Sequence, residues 1–259
     1  MEVHHHSHTS RKKWAHYFWE FLMLFLAVFC GFFAEYQLEH KIEKDREKKY
    51  IASMVDDLKR DTANFTFLIA RGRETMFTID TLISLLGSAE RESKTSAMYY
   101  YARKVTITGF PFEIFERTYS QMKSSGNLRL LHTQAIADSI TSYYYDVNFL
   151  ISQQDVINKL QMEYIKNVSV VFDPSVFHQM YKDAGLSVNY TLKTKDFIIP
   201  DAPKDNPPLA DDNKNAIHTL VGSMHYLYGR LVRVNGIVIV ESEKALRLIQ
   251  LLEKEYHLK

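Results

Sequence analysis

Cysteine is almost absent from this sequence, which has one, Cys30, in 259 residues. A single cysteine excludes an intramolecular disulfide and any zinc site that needs several thiolates. Proline and glycine are also scarce, with 6 and 9 residues, and four of the prolines lie within residues 200–208. Because both residue types interrupt helices, their scarcity elsewhere predicts an all-α fold whose stability comes from packing.

An excess of charge is absent too, since 32 Lys and Arg residues balance 31 Asp and Glu residues to a formal net charge of +1. This balance leaves no basic field for a nucleic acid partner. The sequence also has no glycine-rich phosphate loop, no nucleophile elbow and no zinc-protease helix motif. We therefore expect no catalytic residues, no cofactor and no metal site.

The most prominent feature present is an apolar run over residues 17–36, whose central residues 21–34 carry no charge. Twenty helical residues span about 30 Å, the thickness of the hydrocarbon core of a bilayer. The run therefore predicts a transmembrane helix over residues 14–36, with the lipid bilayer as a partner. Aromatic residues near its two ends fit the membrane–water interfaces as anchors, namely Trp14, Tyr17, Trp19 and Tyr36.

A cleaved secretory signal is the alternative to an anchor, because basic residues 11–13 precede the apolar run. Cleavage before Glu35 would need a small residue where Phe32 stands, and a lipoprotein site at Cys30 would follow a bulky phenylalanine. Both sites are poor, which favours an uncleaved helix. Counting basic residues alone would give the opposite orientation, since three at residues 11–13 face five at residues 41–49. Because long domains cross membranes largely regardless of their charge, the short leader of residues 1–13 is expected to stay in the cytoplasm.

The leader is rich in histidine, with His4, His5, His6 and His8 close together. Imidazole nitrogens bind transition metals, but this cluster lacks the supporting residues that fix the geometry of a site. A disordered leader or an expression remnant is the plainer interpretation.

Small and ionisable residues within the span indicate a contact with another helix. Ala27, Gly31 and Ala34 form a strip of small side chains, and small residues let membrane helices approach closely. Glu20 is an ionisable group near membrane depth, a position that is often functional. The alternative is that Glu20 reaches the headgroups and that the small residues are ordinary components of a span.

Apolar residues recur in alternating steps of four and three over residues 51–86, 133–164 and 217–252. This spacing is typical of helix-packing seams and of coiled coils. A charged helical stalk over residues 37–50 joins the first seam to the span. The transmembrane helix is therefore expected to continue unbroken into the first seam.

Two shorter helical patterns, over residues 93–104 and 113–123, lie between the first two seams. Periodicity fails over residues 168–209, which predicts an irregular crossover with a β-rich patch at residues 186–192. Residues 51–259 are therefore predicted to form an elongated antiparallel helical bundle outside the membrane.

Acidic residues occur at two places in these helical patterns. Asp56, Asp57 and Asp61 lie close to Lys59 and to an arginine, so they are interpreted as a solvated helix face. Glu241 interrupts the last seam and is expected at the end of the core or facing a partner.

Two tyrosine runs supply the candidate residues for contact with a ligand or a partner, namely Tyr99, Tyr100, Tyr143 and Tyr144. Tyrosine combines an apolar ring with a polar hydroxyl, so these residues could stack on a sugar or a peptide. Tyrosines at helical spacing also form amphipathic cores, and this remains the alternative.

Three stretches of the sequence resemble an uncharacterised family of bacterial single-pass membrane proteins, a domain of unknown function. They are RKKWAHYFWEFLMLFLAVFCGFFAEYQLEH, the following DREKKYIASMVDDLKRDT, and the central YSQMKSSGNLRLL with ITSYYYDV. The resemblance implies an anchor in the bacterial inner membrane and a helical domain in the periplasm. It implies no known activity.

Together these features predict a membrane-anchored helical interaction or scaffold protein of the bacterial envelope, which is not an enzyme and binds a protein partner or a second copy of itself. The alternative is a ligand-binding sensor subunit that signals through a partner, with a pocket between helices near the tyrosine runs. A dry, filled core with exposed apolar side chains favours the first function. An enclosed, polar-lined cavity favours the second.

Overall fold

The structure, a computed structural model, describes residues 10–107, 112–185 and 199–258. Over these residues the chain forms six α-helices and two short 3-10 helices, with no strand, which confirms the all-α prediction for this part of the chain. The α-helices are α1 (Ser10–Leu86), α2 (Thr95–Ile107), α3 (Arg117–Ser124), α4 (Gln134–Val171), α5 (Pro174–Asp183) and α6 (Lys214–Glu255).

Helix α1 is continuous over 77 residues, from the apolar run through the charged stalk to the first seam, as predicted. Its side chains are mostly exposed up to Glu47, the first buried residue, and from Ile51 onward buried positions recur every three or four residues. The helix ends at Leu86, and the N–H of Gly87 donates to the carbonyl of Ile83 at 3.1 Å. One helix therefore has an uncovered half and a packed half.

Helix α6 packs along α1, and the contacts occur in opposite order along the two helices. Lys59 of α1 lies 2.8 Å from Glu253 near the end of α6. Farther along α1, Gly72 faces Asn235, and a Cβ at Gly72 would lie 2.7 Å from the amide oxygen of Asn235. A glycine at this position therefore lets the two helices approach closely.

Helix α6 also packs along α4, again with contacts in opposite order. Lys244 of α6 lies 2.7 Å from Asp146 of α4. Toward the start of α6, Arg230 donates to Gln153 at 3.0 Å. Large apolar and aromatic side chains fill the space between the long helices, and they include Phe65, Leu68, Tyr144 and Leu220.

Helices α2 and α5 cover one end of the long helices. The hydroxyl of Tyr164 in α4 donates to the carbonyl of Ala102 in α2 at 2.9 Å. Helix α5 begins with Pro174 after Asp173, whose carboxylate accepts from the N–H of Ser175 at 2.8 Å. This helix lies within the predicted crossover, where the sequence pattern indicated none. The predicted β-rich patch at residues 186–192 lies outside the described residues.

Helix α3 is shorter than the predicted helix over residues 113–123. The backbone just before α3 forms hydrogen bonds with side chains of α1 instead of the hydrogen bonds of a helical turn. Asn64 donates to the carbonyl of Glu113 at 2.7 Å, and the N–H of Phe115 donates to Asp61 at 2.8 Å. These contacts with α1 replace the first turn of the predicted helix.

Candidate functional site

The apolar segment of α1 is uncovered. Among the described residues, one helix is long and apolar enough to cross a membrane, and none of its apolar window is buried. The four predicted anchors are exposed, and they are Trp14, Tyr17, Trp19 and Tyr36. Apolar surface of this extent is stable in a bilayer or against a partner, because burial outside water is favourable.

The candidate helix–helix contacts in the segment are also uncovered. Ala27, Gly31 and Ala34 are exposed, and a Cβ at Gly31 would meet no atom of the described residues within 4 Å. Glu20 is exposed, with a carboxylate oxygen 3.8 Å from the ring of His16. A contact with a second membrane helix stays a prediction for these residues.

The two tyrosine runs occupy different places in the fold. Tyr99 is buried against Phe172 and Phe177, and its hydroxyl donates to the carbonyl of Pro208 at 2.9 Å. Tyr100 is half-buried in the same part of the molecule. The runs therefore do not form one common site.

Tyr143 and Tyr144 lie next to each other in the core, with ring centroids 5.0 Å apart. The hydroxyl of Tyr144 donates to the carbonyl of Phe115 at 3.2 Å. Tyr143 is buried over most of its surface but contributes to a groove between α4 and α6. Of the four tyrosines predicted to contact a ligand, only Tyr143 lines any groove described below.

A pair of buried carboxyl groups on α1 joins three elements. Asp57 and Asp61 have 1% and 0% of their surface exposed. Asp57 accepts from the N–H and the hydroxyl of Thr118 at 3.1 and 2.5 Å. Asp61 accepts from the N–H of Phe115 and from the hydroxyl of Tyr143, each at 2.8 Å. The pair therefore holds the start of α3 and the first third of α4 against α1.

The environment of Asp61 disfavours its ionised form. Burial raises the pKa of Asp61 to about 6, and the nearby Asp57 adds to this increase. The donated hydrogen bonds from Phe115 and Tyr143 lower the pKa and partly offset the effect of burial. Burial also raises the pKa of Tyr143, so its hydroxyl stays a donor.

The interpretation of these aspartates as a solvated face is wrong for Asp57 and Asp61. A signal was present in the sequence, because Asp61 lies seven residues after Met54 and seven before Leu68, both of which are buried. Such a position lies on the same helix face as its apolar neighbours. Only Asp56 is exposed, as expected.

A second polar cluster contains a buried carboxylate of α6. Glu241 has 4% of its surface exposed, and Lys244 lies between Glu241 and Asp146 at 2.9 and 2.7 Å. The other carboxylate oxygen of Glu241 is buried and has no hydrogen-bond partner among the residues that the structure describes. Burial raises the pKa of Glu241, and the ion pair with Lys244 opposes this increase.

A third polar cluster joins the beginning of the packed part of α1 to the end of α6. Glu47 is buried and accepts from the hydroxyl of Tyr256 at 2.5 Å and from the N–H of His132 at 2.7 Å. The ring of His132 packs edge-on against that of Tyr256, with centroids 4.8 Å apart. This cluster fixes the end of α6 beside the stalk.

The main cavities over the described residues are open grooves at the surface. One of about 420 Å³ lies between α4 and α6, where Tyr143, Lys244 and Arg247 contribute to its walls. Another of about 510 Å³ lies farther along the same two helices and includes the exposed Tyr226. Among the described residues, no group of three or more His, Cys, Asp or Glu side chains could hold a metal ion.

Comparison with known proteins gives no match to a family model, a curated protein or a solved structure. The resemblance to a bacterial single-pass membrane family therefore stays a prediction.

Proposed function

We propose that this protein is a membrane-anchored helical interaction or scaffold protein of the bacterial envelope, without catalytic activity of its own. The observation that carries the proposal is helix α1, which continues without a break from an uncovered apolar segment into a packed helical part. If the apolar segment lies in the membrane, this continuous helix would hold the packed helices at a fixed place next to it.

We infer that α1, α4 and α6 form an elongated antiparallel bundle. The contacts Lys59–Glu253 and Asp146–Lys244 support this arrangement, because they pair residues in opposite order along the helices. The bundle would lie in the periplasm, and the short leader would lie in the cytoplasm, because long domains cross membranes largely regardless of their charge.

The packed helices also favour an interaction role over chemistry. Their core is filled with large apolar side chains, and the oxygens of Asp57 and Asp61 accept hydrogen bonds from protein donors. Apolar side chains remain exposed on α4 and α6, including Tyr145, Phe149 and Tyr226. Exposed aromatic residues are common at protein interfaces.

The test is crosslinking of the full chain in its native membrane, followed by detergent extraction and mass spectrometry. The proposal predicts a discrete homo-oligomer or one recurring envelope protein. If α4 forms the contact, the double substitution Tyr145→Ala with Phe149→Ala should reduce the yield of crosslinked product. If the span forms the contact, Glu20→Gln should reduce this yield instead. A monomer with no recurring partner would contradict the proposal.

A ligand-binding sensor subunit is the second candidate. Its candidate site is the open groove of about 420 Å³, where Tyr143 lies beside Ser142, Lys244 and Arg247. This function predicts that a small polar ligand raises the melting temperature of the full chain, and that Arg247→Gln removes the increase. A screen without any such ligand would leave the scaffold function as the better account.

A further inference from the structure

A groove of about 400 Å³ lies between the first packed turns of α1 and helix α3. Three cationic side chains line it, Arg46 and Lys49 from α1 and Arg117 from α3. Hydrogen-bonding groups of Ser53 and Gln121 lie on the same walls. The groove therefore combines positive charge with uncharged donors.

Few carboxylates approach these cations, and the nearest on the same face of α1 are Glu43, three residues before Arg46, and Asp45, four residues before Lys49. Among the described residues, no carboxylate forms an ion pair with Arg46 or Lys49. Arg117 reaches Asp57 at 3.9 Å, and its side chain is 76% exposed. Asp56 follows Lys49 by seven residues on the same helix face, but it does not line the groove.

Buried contacts hold the three cations together. Asp57 accepts two hydrogen bonds from Thr118, which fixes the start of α3 on α1. Arg117, the neighbouring residue, is thereby placed opposite Arg46 and Lys49. Like charges held in one groove repel each other, and a bound anion would relieve this repulsion.

We propose that this groove binds a phosphate group. Arginine presents a planar set of donors that matches phosphate oxygens, and lysine adds a compact positive charge. Hydroxyl and amide groups at Ser53 and Gln121 would supply further donors. This binding goes beyond the proposed interaction role and does not depend on which side of the membrane the packed helices occupy.

The phosphate could belong to a lipid headgroup or to a soluble molecule. At a rise of about 1.5 Å per residue, Arg46 lies about 15 Å beyond Tyr36 along α1. The headgroup layer on one side of a bilayer is only about 5 to 8 Å thick. An upright helix therefore places the groove beyond ordinary phospholipid headgroups, and a tilted one brings it closer.

The test uses the full chain in nanodiscs of phosphatidylcholine, with inorganic phosphate as the probe and its ³¹P NMR linewidth as the readout. Saturable broadening is expected, with a dissociation constant of about 1 mM or lower. The triple substitution Arg46→Gln, Lys49→Gln and Arg117→Gln should weaken binding at least about tenfold, a change of about 1.4 kcal/mol.

Two further variants control for charge and for folding. Lys44→Gln, Lys48→Gln and Arg129→Gln remove the same charge from exposed positions outside the groove, so binding should stay within about twofold of the original. The double substitution Arg46→Gln and Lys49→Gln leaves the contact of Arg117 with Asp57 intact and should still weaken binding.

Nanodiscs that contain phosphatidylglycerol distinguish the two sources. If a headgroup occupies the groove, these nanodiscs will weaken phosphate binding by the original chain more than by the triple variant. If the ligand is a soluble molecule, phosphatidylglycerol will change phosphate binding by the same factor in the original chain and in the triple variant. Absence of saturable binding at millimolar phosphate, or equal binding by the triple variant and the original, would overturn the proposal.

Discussion

Asp61 is a carboxyl group within an otherwise apolar face of α1, and its raised pKa couples stability to pH. The folded chain keeps the proton on Asp61 up to about pH 6, whereas the unfolded chain releases it near the ordinary value of 3.8. The folded state therefore binds more protons between these values, so its stability falls as pH rises through this window. The raised pKa of Glu241 acts in the same direction.

The substitution Asp61→Asn should remove this part of the pH dependence. A shift of roughly 2 pKa units corresponds to about 3 kcal/mol, at 1.36 kcal/mol per unit. We expect the difference in unfolding free energy between the variant and the original to change by about 2 kcal/mol of this amount between pH 4 and 6.5. Denaturation in detergent micelles, followed by circular dichroism, measures it.

The control for this prediction is Asp56→Asn, which removes the same charge from an exposed neighbour on α1. Its difference from the original should stay nearly constant over the same pH range, because the side chain of Asp56 is in contact with solvent in the folded chain as well. Parallel stability curves for Asp61→Asn and the original would show that Asp61 titrates normally in the folded chain.

Tyr143 donates the hydrogen bond that reaches Asp61 from α4, and Tyr143→Phe removes it. A buried acceptor that loses a donor costs about 1 to 3 kcal/mol. Tyr145→Phe is the matched control, because that ring is 76% exposed and its substitution should change stability by less than about 0.5 kcal/mol. Equal melting temperatures for both variants would contradict the assigned contact.

At the scale of the helices, substitution of alanine for two glycines should change stability in opposite directions. Gly72→Ala places a Cβ 2.7 Å from the amide oxygen of Asn235, so this side chain must leave its position and stability should fall by about 1 kcal/mol. Gly229→Ala in α6 meets no atom of the described residues within 4 Å, so it should stabilise the helix by up to about 1 kcal/mol.

Thermal unfolding of the two glycine variants tests this pair directly. If Gly229→Ala lowers the melting temperature as much as Gly72→Ala does, the outer face of α6 is covered in the assembled protein. That result would be expected if α6 contacts a partner there, and crosslinking yields would show which surface is involved.

The long helices could be predicted from the sequence, because the regular spacing of apolar residues and the residue types at the helix ends both mark them. The steps of four and three after Ile51 correspond to buried positions of α1. Thr133 caps α4 and accepts from the N–H of Ile136 at 3.4 Å, and Gly126, which follows α3, has the left-handed conformation, with φ of 70°. These signals are local, so a single sequence contains them.

The contacts that shorten α3 could not be predicted in the same way. The backbone at Phe115 bonds to Asp61, which lies 54 residues earlier in the chain. The local sequence pattern favours a helix over residues 113–123. The hydrogen bond to the distant carboxylate of Asp61 prevents the first turn of this helix from forming. The burial of Asp61, by contrast, was indicated locally by its place between Met54 and Leu68 on the apolar face of α1.

At the scale of the whole molecule, the C-terminal end of α6 lies beside the stalk and the first packed turns of α1. Tyr256 donates to Glu47, and Lys59 pairs with Glu253. The packed part of α1 covers residues 51–86, a length of about 54 Å. The opposite end of the long helices, near α2 and α5, would therefore lie far from the bilayer and could reach other envelope components.

The central claim is that one helix crosses the membrane and carries the packed helices on the extracytoplasmic side. Cysteine labelling in intact cells tests it, in a background with Cys30→Ser and with a membrane-impermeant maleimide that passes the outer membrane. Lys254→Cys lies on the exposed surface of α6, and Ser10→Cys lies at the start of α1.

We predict that the reagent labels Lys254→Cys in intact cells and labels Ser10→Cys only after the inner membrane is broken. Labelling of Ser10→Cys alone before lysis would reverse the orientation. Recovery of the chain in the soluble fraction, with both positions equally reactive, would contradict the membrane anchor itself.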